Sequence, residues 1–413
     1  MSILRSEKWY PWLVWGLAAG FFFAEYFARV SPSVMVPQLM RSLNVGAFSL
    51  GALSSFFYYA YVAMQLPVGA LFDRFGPRRL LSIMAIVCGL AAVSFAFSNS
   101  LPIAILSRFF MGFAAAFAFV GALKLAHMHF PARRFGFLSG ITQALGMLGA
   151  AVGEGPVSVM VVHIGWRASM LVIAAVLIVL GLAIAVVVRQ TRHSKSIKKH
   201  SQPIMSSFIL VMKRRQTWVN GIVVGFLYAP TAAFAALWGV EYLRHVRHLS
   251  VEMAASMISL IFIGFAISSP IAGWLSDHIG RRKPIILASI LGSGVLMSII
   301  LYWPSLPIVV LFVLLFLYGA FNVGVATAYA VAAESNVPKV SGTAMAFANM
   351  ASVIIGALFQ PIIGALLDWH AIAVLPGHTI YTVHDFKTAM LILPAAFVIS
   401  LIAWFALKET FKR

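Results

Sequence analysis

Glu25, Arg29, Arg108, Lys124 and Glu154 each interrupt a stretch built almost wholly from apolar side chains. An ionised group in the middle of a bilayer costs about 2.5–3.5 kcal/mol on insertion scales, so each of the five asks for a functional reason. Glu25 and Arg29, in FFFAEYFARVSPS, are four residues apart and share one helix face, where they can pair. Such a pair either clasps its helix to a neighbour or lines a cavity and exchanges partners with a solute or a proton. The second use has a definite chemistry. Loss of water favours a neutral carboxyl and a nearby guanidinium favours the carboxylate. A solute that draws Arg29 away would leave Glu25 ready to take up a proton.

Lys124 follows Arg108 by sixteen residues. That separation is about 24 Å along a helix and roughly 160° around it, so the two cannot face one point. Lys124 either joins a site of its own or snorkels to the membrane surface. Glu154, in GAAVGEGPVS, shares a stripe with Gln143, Met147 and Ala150. It is either an acid that binds a proton or cation, or a partner of Arg108 or Arg167. Neutral polar groups complete the set: Tyr58 above Gln65, Asn322 and Tyr329 seven apart and therefore on one face, and Asn349 and Gln360. An unpaired amide in mid-span is costly, which makes Asn322 the best of these. The expected substrate- and proton-binding set is Glu25, Arg29, Tyr58, Arg108, Lys124, Gln143, Glu154, Asn322, Tyr329 and Gln360. No metal-ligand spacing, Ser–His–Asp set, P-loop or dinucleotide fingerprint occurs. The sequence therefore predicts no metal, no cofactor and no enzyme.

The elements that must position these groups follow from composition. The chain is 62% hydrophobic and 10% charged, with mean hydropathy +0.96, against about 25% charged in a soluble domain. Twelve apolar stretches fall near 10–36, 46–71, 80–98, 102–128, 135–162, 166–188, 216–240, 251–275, 284–303, 306–333, 340–367 and 387–407. Each is long enough to cross a ~30 Å hydrocarbon core as a helix, and too long for a barrel strand. Cys88 is the single cysteine, so no disulfide forms within one chain. No cleavable signal pattern is found at the N-terminus.

The net charge of +19 is a topology signal rather than a nucleic-acid footprint. With the N-terminus inside, 22 Lys and Arg lie in cytoplasmic segments and five (Arg41, Arg167, Arg244, Arg247 and Lys387) in external ones. Basic residues favour the cytoplasmic side, so both termini are expected there, in a bacterial-type inner membrane. The expected partners are a small solute, protons and anionic lipid, with no nucleic acid, and the chain is expected to act as a monomer.

The longest polar break, 189–215, carries eight basic residues and no acid. It divides a six-helix bundle at 1–188 from a second at 216–413, and its apolar part, 204–212, suits the membrane surface. The bundles look like copies. GALFDRFGPRR at 69–79 is answered by GWLSDHIGRRK at 273–283, Pro131 by Pro338, and Pro156 by Pro361. Near-constant offsets indicate duplication, and parallel repeats place a cavity between the halves.

The two charged knots resemble the signature G-x-x-x-D-R-x-G-R-R/K-R/K of the major facilitator superfamily, with Pro77 and His278 as departures. Arg108 with Gly112, and GWR at 165–167, are similar to further pieces of that family. The resemblance covers essentially the whole chain and implies an all-α integral membrane fold of twelve helices in two pseudo-symmetric halves, working by alternating access. It implies that Asp73 packs against the start of another helix and against arginines, closing the cytoplasmic side of one state. The gating set so identified is Gly69, Asp73, Arg74 and Arg78 with Gly273, Asp277, Arg281 and Arg282.

Both signs of charge, concentrated in the first half, favour a small zwitterionic or anionic metabolite, such as an amino acid, short peptide or organic acid, carried with a proton on Glu25 or Glu154. Proton-driven export of a metabolite, drug or siderophore is the alternative. A membrane-embedded enzyme would need a nucleophile or metal set. A receptor would need an output domain larger than the 189–215 linker.

Overall fold

The computed structural model describes residues 9–131, 134–189, 204–303, 305–337, 340–371 and 380–411. Its long helices are α1 (Tyr10–Val34), α2 (Ala47–Met64), α3 (Pro77–Ala96), α4 (Leu101–His129), α5 and α6 (the arms of Phe135–Val187), α7 (Arg215–Arg247), α8 (Val251–Ile279), α9 (Lys283–Tyr302), α10 (Ile308–Glu334), α11 (Ser341–His370) and α12 (Val383–Ala406). Eleven continuous helices among the described residues are long and apolar enough to cross a membrane. The 53-residue one turns at Gly165, whose φ of +78° and ψ of 160° a side chain would oppose. Its arms are separate crossings, which makes twelve. Residues 190–203 of the basic linker and Pro338 lie outside the described residues. Ile204–Met212 is helical.

The bundle is inverted relative to a soluble protein. Phe97, Val179, Val309, Ile402 and Phe405 are exposed on its outside, where lipid replaces water. Without a hydrophobic drive between helices, close approach of backbones supplies the packing. Gly112 of α4 lies on the backbone of Phe57 in α2, and Gly319 of α10 lies in the same way on Ile261 of α8. The two contacts are the same joint, one in each half. Gly146, Gly149 and Gly153 let α5 take Phe22, Phe23, Tyr26 and Val30 of α1.

The first helix of each half is irregular at the same depth. α1 ends in a tight turn, Ser31–Val34, and α7 widens over Thr231–Trp238 directly after Pro230. The two irregular segments touch across the halves. A proline lacks the N–H that the preceding turn needs, which is the physical reason for both breaks.

The two ends of the bundle differ. The end carrying Arg74, Arg78, Arg79, Arg281, Arg282 and Lys283 is called the basic face. At the far face α2 lies tightly on α11: Gly51 meets the backbone of Gln360 and Pro361, and Gly364 meets that of Ala47. Asp368 of α11 accepts hydrogen bonds from the N–H groups of Ala47 (3.1 Å) and Phe48 (2.8 Å). It thus caps the start of a helix in the other half, whose own N-cap residue, Gly46, has no side chain to do so. At the basic face, a Cβ added to Gly69, Gly140, Gly273 or Gly342 would meet nothing within 4 Å. These glycines sit on α5, α8, α11 and the α2 extension Pro67–Phe75, the helices through which the halves face each other. The halves are closed at the far face and parted at the basic face.

Candidate functional site

Arg29 is the centre of a polar cluster inside the bundle. Its guanidinium donates to both carboxylate oxygens of Glu25, at 2.7 and 3.3 Å, and the pair is buried. The sequence spacing placed them on one face; the burial comes from the neighbours. Arg29 lies over the rings of Tyr26 (4.2 Å), Tyr61 (4.6 Å) and Phe57 (5.4 Å). A cation over an aromatic face is attracted by the ring quadrupole, more so when water is excluded. Tyr58 of α2 and Tyr228 of α7 lie within electrostatic reach of the guanidinium. The cage is therefore built from both halves.

Arg108, fully buried on α4, holds the end of α1 in place. Its guanidinium donates to the carbonyls of Ala28 and, at 3.1 Å, of Arg29, and lies 4.7 Å from the Phe57 ring. Pro32 has no N–H to give the Ala28 carbonyl, so Arg108 supplies the missing donor. This fixes the turn of α1 from which Arg29 projects. The Nε of Arg108 is buried without a hydrogen-bond partner among the described residues.

Toward the basic face the cluster continues as neutral groups. Tyr329 donates to Asn349 (3.1 Å), and Asn349 donates across the halves to Gln65 (3.2 Å). Gln65, Gln143, Tyr228, Tyr329 and Asn349 are all partly exposed. On the far side Gln360 donates to the Ala232 carbonyl at 2.9 Å, and Ser55 donates to the Ala357 carbonyl at 2.6 Å. The ion pair thus sits between a sealed far face and a thin polar layer that opens to the basic face.

Five expected site residues have partners that the sequence did not specify. Lys124 pairs with Asp73 at 2.7 Å, at the basic end of the bundle and away from Arg29. The seven residues from Asn322 to Tyr329 are not one regular helix, because α10 breaks at Asn322 and restarts at Gly324, and the two side chains have different partners. Asn322 is fully buried and donates to the Leu227 carbonyl of α7, which makes it a brace for the break. Gln360 is buried in the far-face contact. Glu154 meets neither Arg108 nor Arg167. Its partner is Ser33, at 2.7 Å, while Arg167 donates to Ser98 and Asn99. Tyr26, Tyr228, Ser33 and Asp368 were not singled out from the sequence. Tyr26 and Ser33 stand within four residues of Arg29, a spacing that signals both; Tyr228 and Asp368 give no local signal.

The two knots share a pattern but not their partners. In the first, Asp73 binds Lys124, Arg74 lies over Phe75, and Arg78 caps the end of α6 through the Ala185 carbonyl (2.6 Å). The Asp73 side chain is 59% exposed and, among the described residues, makes no helix-start contact of the kind that the resemblance implies. In the second, Arg282 joins Asp277 (2.6 Å) to Glu334 of α10 (2.8 Å), and Arg281 is exposed. Burial works against the charge of Arg282, but Glu334 and Asp277 hold its pKa above the usual value. The tail closes this knot: Glu409 accepts from the N–H groups of Arg282 and Lys283, at the start of α9. Burial opposes that carboxylate too, yet the N–H groups around it keep its pKa below the usual one.

An all-helical bundle of two matched halves, closed at one face around a buried ion pair and parted at the other, is the architecture of a membrane transporter of a small solute. The comparisons carry this to a family. The model described as "Major Facilitator Superfamily" matches residues 17–359 and 223–412, and the chain belongs to that superfamily. The chain is similar to a probable sulfoacetate transporter of Cupriavidus necator, 27% identical over 283 residues, 65% of this chain and 66% of that one. The match thus spans just under two thirds of that relative. It is similar to a probable hexose phosphate transport protein of Chlamydia trachomatis, 23% identical over 398 residues, covering 88% of this chain and 87% of that one. The fold matches the crystal structure of a bacterial homolog of the human lysosomal transporter Spinster, with TM-score 0.82 and 15% identity over 97% of this chain and 98% of that one. The protein is an integral, multi-pass secondary transporter of a small solute and not an enzyme.

Proposed function

We propose that the protein carries a small organic anion into the cell together with a proton, by alternating access between bundles at 1–188 and 216–413. The basic face is the cytoplasmic one, by the distribution of Lys and Arg. The described conformation is then open inward. The single observation that carries the substrate class is Arg29: a buried guanidinium in a cage of tyrosines, paired only with an acid of its own helix. A carboxylate, sulfonate or phosphate matches the fork of that guanidinium and can displace Glu25. The relatives named for sulfoacetate and hexose phosphate support an anion. Displaced from Arg29, Glu25 is a buried acid left with only the electrostatic reach of Arg108, and takes up the proton. Solute and proton binding are thereby linked through one side chain.

The test is uptake of labelled sulfoacetate, a hexose phosphate and a neutral sugar into vesicles holding the purified protein, with and without an outside-acid gradient. One anion should accumulate only with the gradient, and Arg29→Ala should abolish its uptake. Equal transport of the neutral sugar would overturn the anion assignment. Net extrusion of the anion under the same gradient would make the protein an exporter. Glu25→Gln, which copies the protonated acid, should still exchange the anion across the membrane but no longer concentrate it. Gradient-driven accumulation by that variant would remove Glu25 from the coupling step.

A further inference from the structure

Glu154 is buried on α5, at the contact with α1 and α8, on the far-face side of the Arg29 cluster. The Ser33 Oγ lies 2.7 Å from each of its carboxyl oxygens and 2.8 Å from the Val30 carbonyl. One hydroxyl proton cannot serve all of these acceptors. Two protons can: a Glu154 O–H donates to Ser33, and Ser33 donates to Val30.

The surroundings agree with a neutral acid. From α1 it meets Ser33, while Glu25, Tyr26 and Arg29 belong to the cluster described above. From α8 its neighbourhood holds Ser256 and Ser259, and the Ser259 hydroxyl already donates to the Ser256 carbonyl. Arg108 is bound to the end of α1 and Arg167 to Ser98 and Asn99. Further out are His163 on α5, Glu252 at the start of α8 and Arg244 on α7, which act on one another. An ionised Glu154 would be a buried charge with no counter-ion, which a protein interior does not tolerate cheaply.

We propose that Glu154 is a proton-binding site of the external gate, separate from the coupling acid. It holds a proton while the far-face contacts are shut and returns it to the external water when α5 and α8 part. Buried in the inward-open form, it passes no proton to the cytoplasm, so it reads external acidity without taking part in the stoichiometry of transport. This rests on the orientation and the two-state reading proposed above. The sign follows from linkage. The shut state binds one more proton than the open one, so acid favours shutting, by up to about tenfold in the shut-to-open ratio per pH unit.

The test places spin labels at Arg41 and His370, exposed positions near the far face in opposite halves, and leaves the buried Cys88 in place. Distance distributions are recorded in micelles between roughly pH 8 and pH 5. The short-distance population should grow on acidification. Glu154→Gln should give the short distance at every pH, and Glu154→Asp should keep the response with a displaced midpoint. A pH-independent distribution in the unsubstituted protein, or an unchanged response in Glu154→Gln, would overturn the proposal. Glu25→Gln separates the two acids: it should lose accumulation and keep the response of the gap. Loss of that response in Glu25→Gln, with its retention in Glu154→Gln, would sink the gate site and leave the coupling role of Glu25 standing.

Discussion

The two halves share a scaffold and differ in what they bury. The first half encloses Glu25, Arg29, Arg108 and Glu154. In its interior the second half encloses Thr231 bonded to Tyr318, Asn322 bonded to a carbonyl, and Gln360 bonded to another, while its buried acids, Glu241 and Asp385, are taken up by Arg244 and by the start of Val383–Ala389. Both use the same glycine joint, Gly112 on Phe57 and Gly319 on Ile261. Duplication therefore conserved the helix contacts and left the interior chemistry free to diverge. Under the rocking of the halves proposed above, the charge cluster of the first half would move as one unit against a second half whose central groups are neutral.

The largest expected effect comes from breaking the charged half at its centre. Arg29→Ala leaves Glu25 buried without its hydrogen-bonded cation, a loss of about 3–5 kcal/mol when one partner of a buried pair is removed. Thermal unfolding in detergent should fall by several degrees and uptake should vanish. Removing Glu25 as well, by Glu25→Ala in the same chain, should restore most of the stability but none of the uptake. If Gln360→Ala in the neutral half costs as much as Arg29→Ala, the contrast between the halves is wrong.

Next come the locks. Asp368→Ala removes the cross-half cap of α2 and should shift the Arg41–His370 distance toward the open far face. It should slow return to the inward-open form, while affinity for the anion changes only a few-fold. Asp73→Asn should act in the opposite sense if Asp73 braces a closed basic face, as the resemblance implies. Transport should slow with binding in detergent little changed. A normal transport rate in Asp73→Asn would remove it from the gate.

The smallest effect separates the two knots. Arg282 gathers two acids and is itself tied to the tail by Glu409, whereas Asp73 has only Lys124. Since the pKa of Glu409 is depressed in the folded chain, its contribution is present above the ordinary carboxylate value of 4.5 and fades as pH falls through and below it. Proteolytic release of the tail should therefore rise in acid, and Glu409→Gln should show that release already at neutral pH. A tail equally protected at all pH values would mean that Glu409 does not hold it.

Much of the fold was legible because membrane helices write themselves in composition. Length, hydropathy and the offset between 69–79 and 273–283 lead to twelve crossings in two halves. The site was legible only where it is local. Glu25 and Arg29 are one turn apart on one helix, so their pairing follows from spacing. Tyr228 joins the same cage from α7 and Asp368 caps α2 from α11, and neither is marked by its neighbours in the chain. Lys124 illustrates the limit. Its direction around the helix was right to exclude it from the face of Arg108, but the acid that claims it, Asp73, lies 51 residues earlier. The one-face reading of Asn322 and Tyr329 assumes an unbroken helix, and α10 breaks at Asn322.

The sequence by itself determined which residues had to be explained: an apolar chain pays for every buried charge, so five intramembrane ions and two charged knots stand out without coordinates. It also determined the repeat and the side on which the basic residues gather. What only the tertiary structure decided is which of those charges meet. Helix rotation, the breaks at Pro32, Pro230 and Asn322, and the approach allowed by glycines set those meetings, and each depends on atoms far away in the chain. Partner choice between Arg29 and Glu25, Glu154 and Ser33, or Asp73 and Lys124 is a matter of distances of a few ångströms, and packing between helices is what sets such distances.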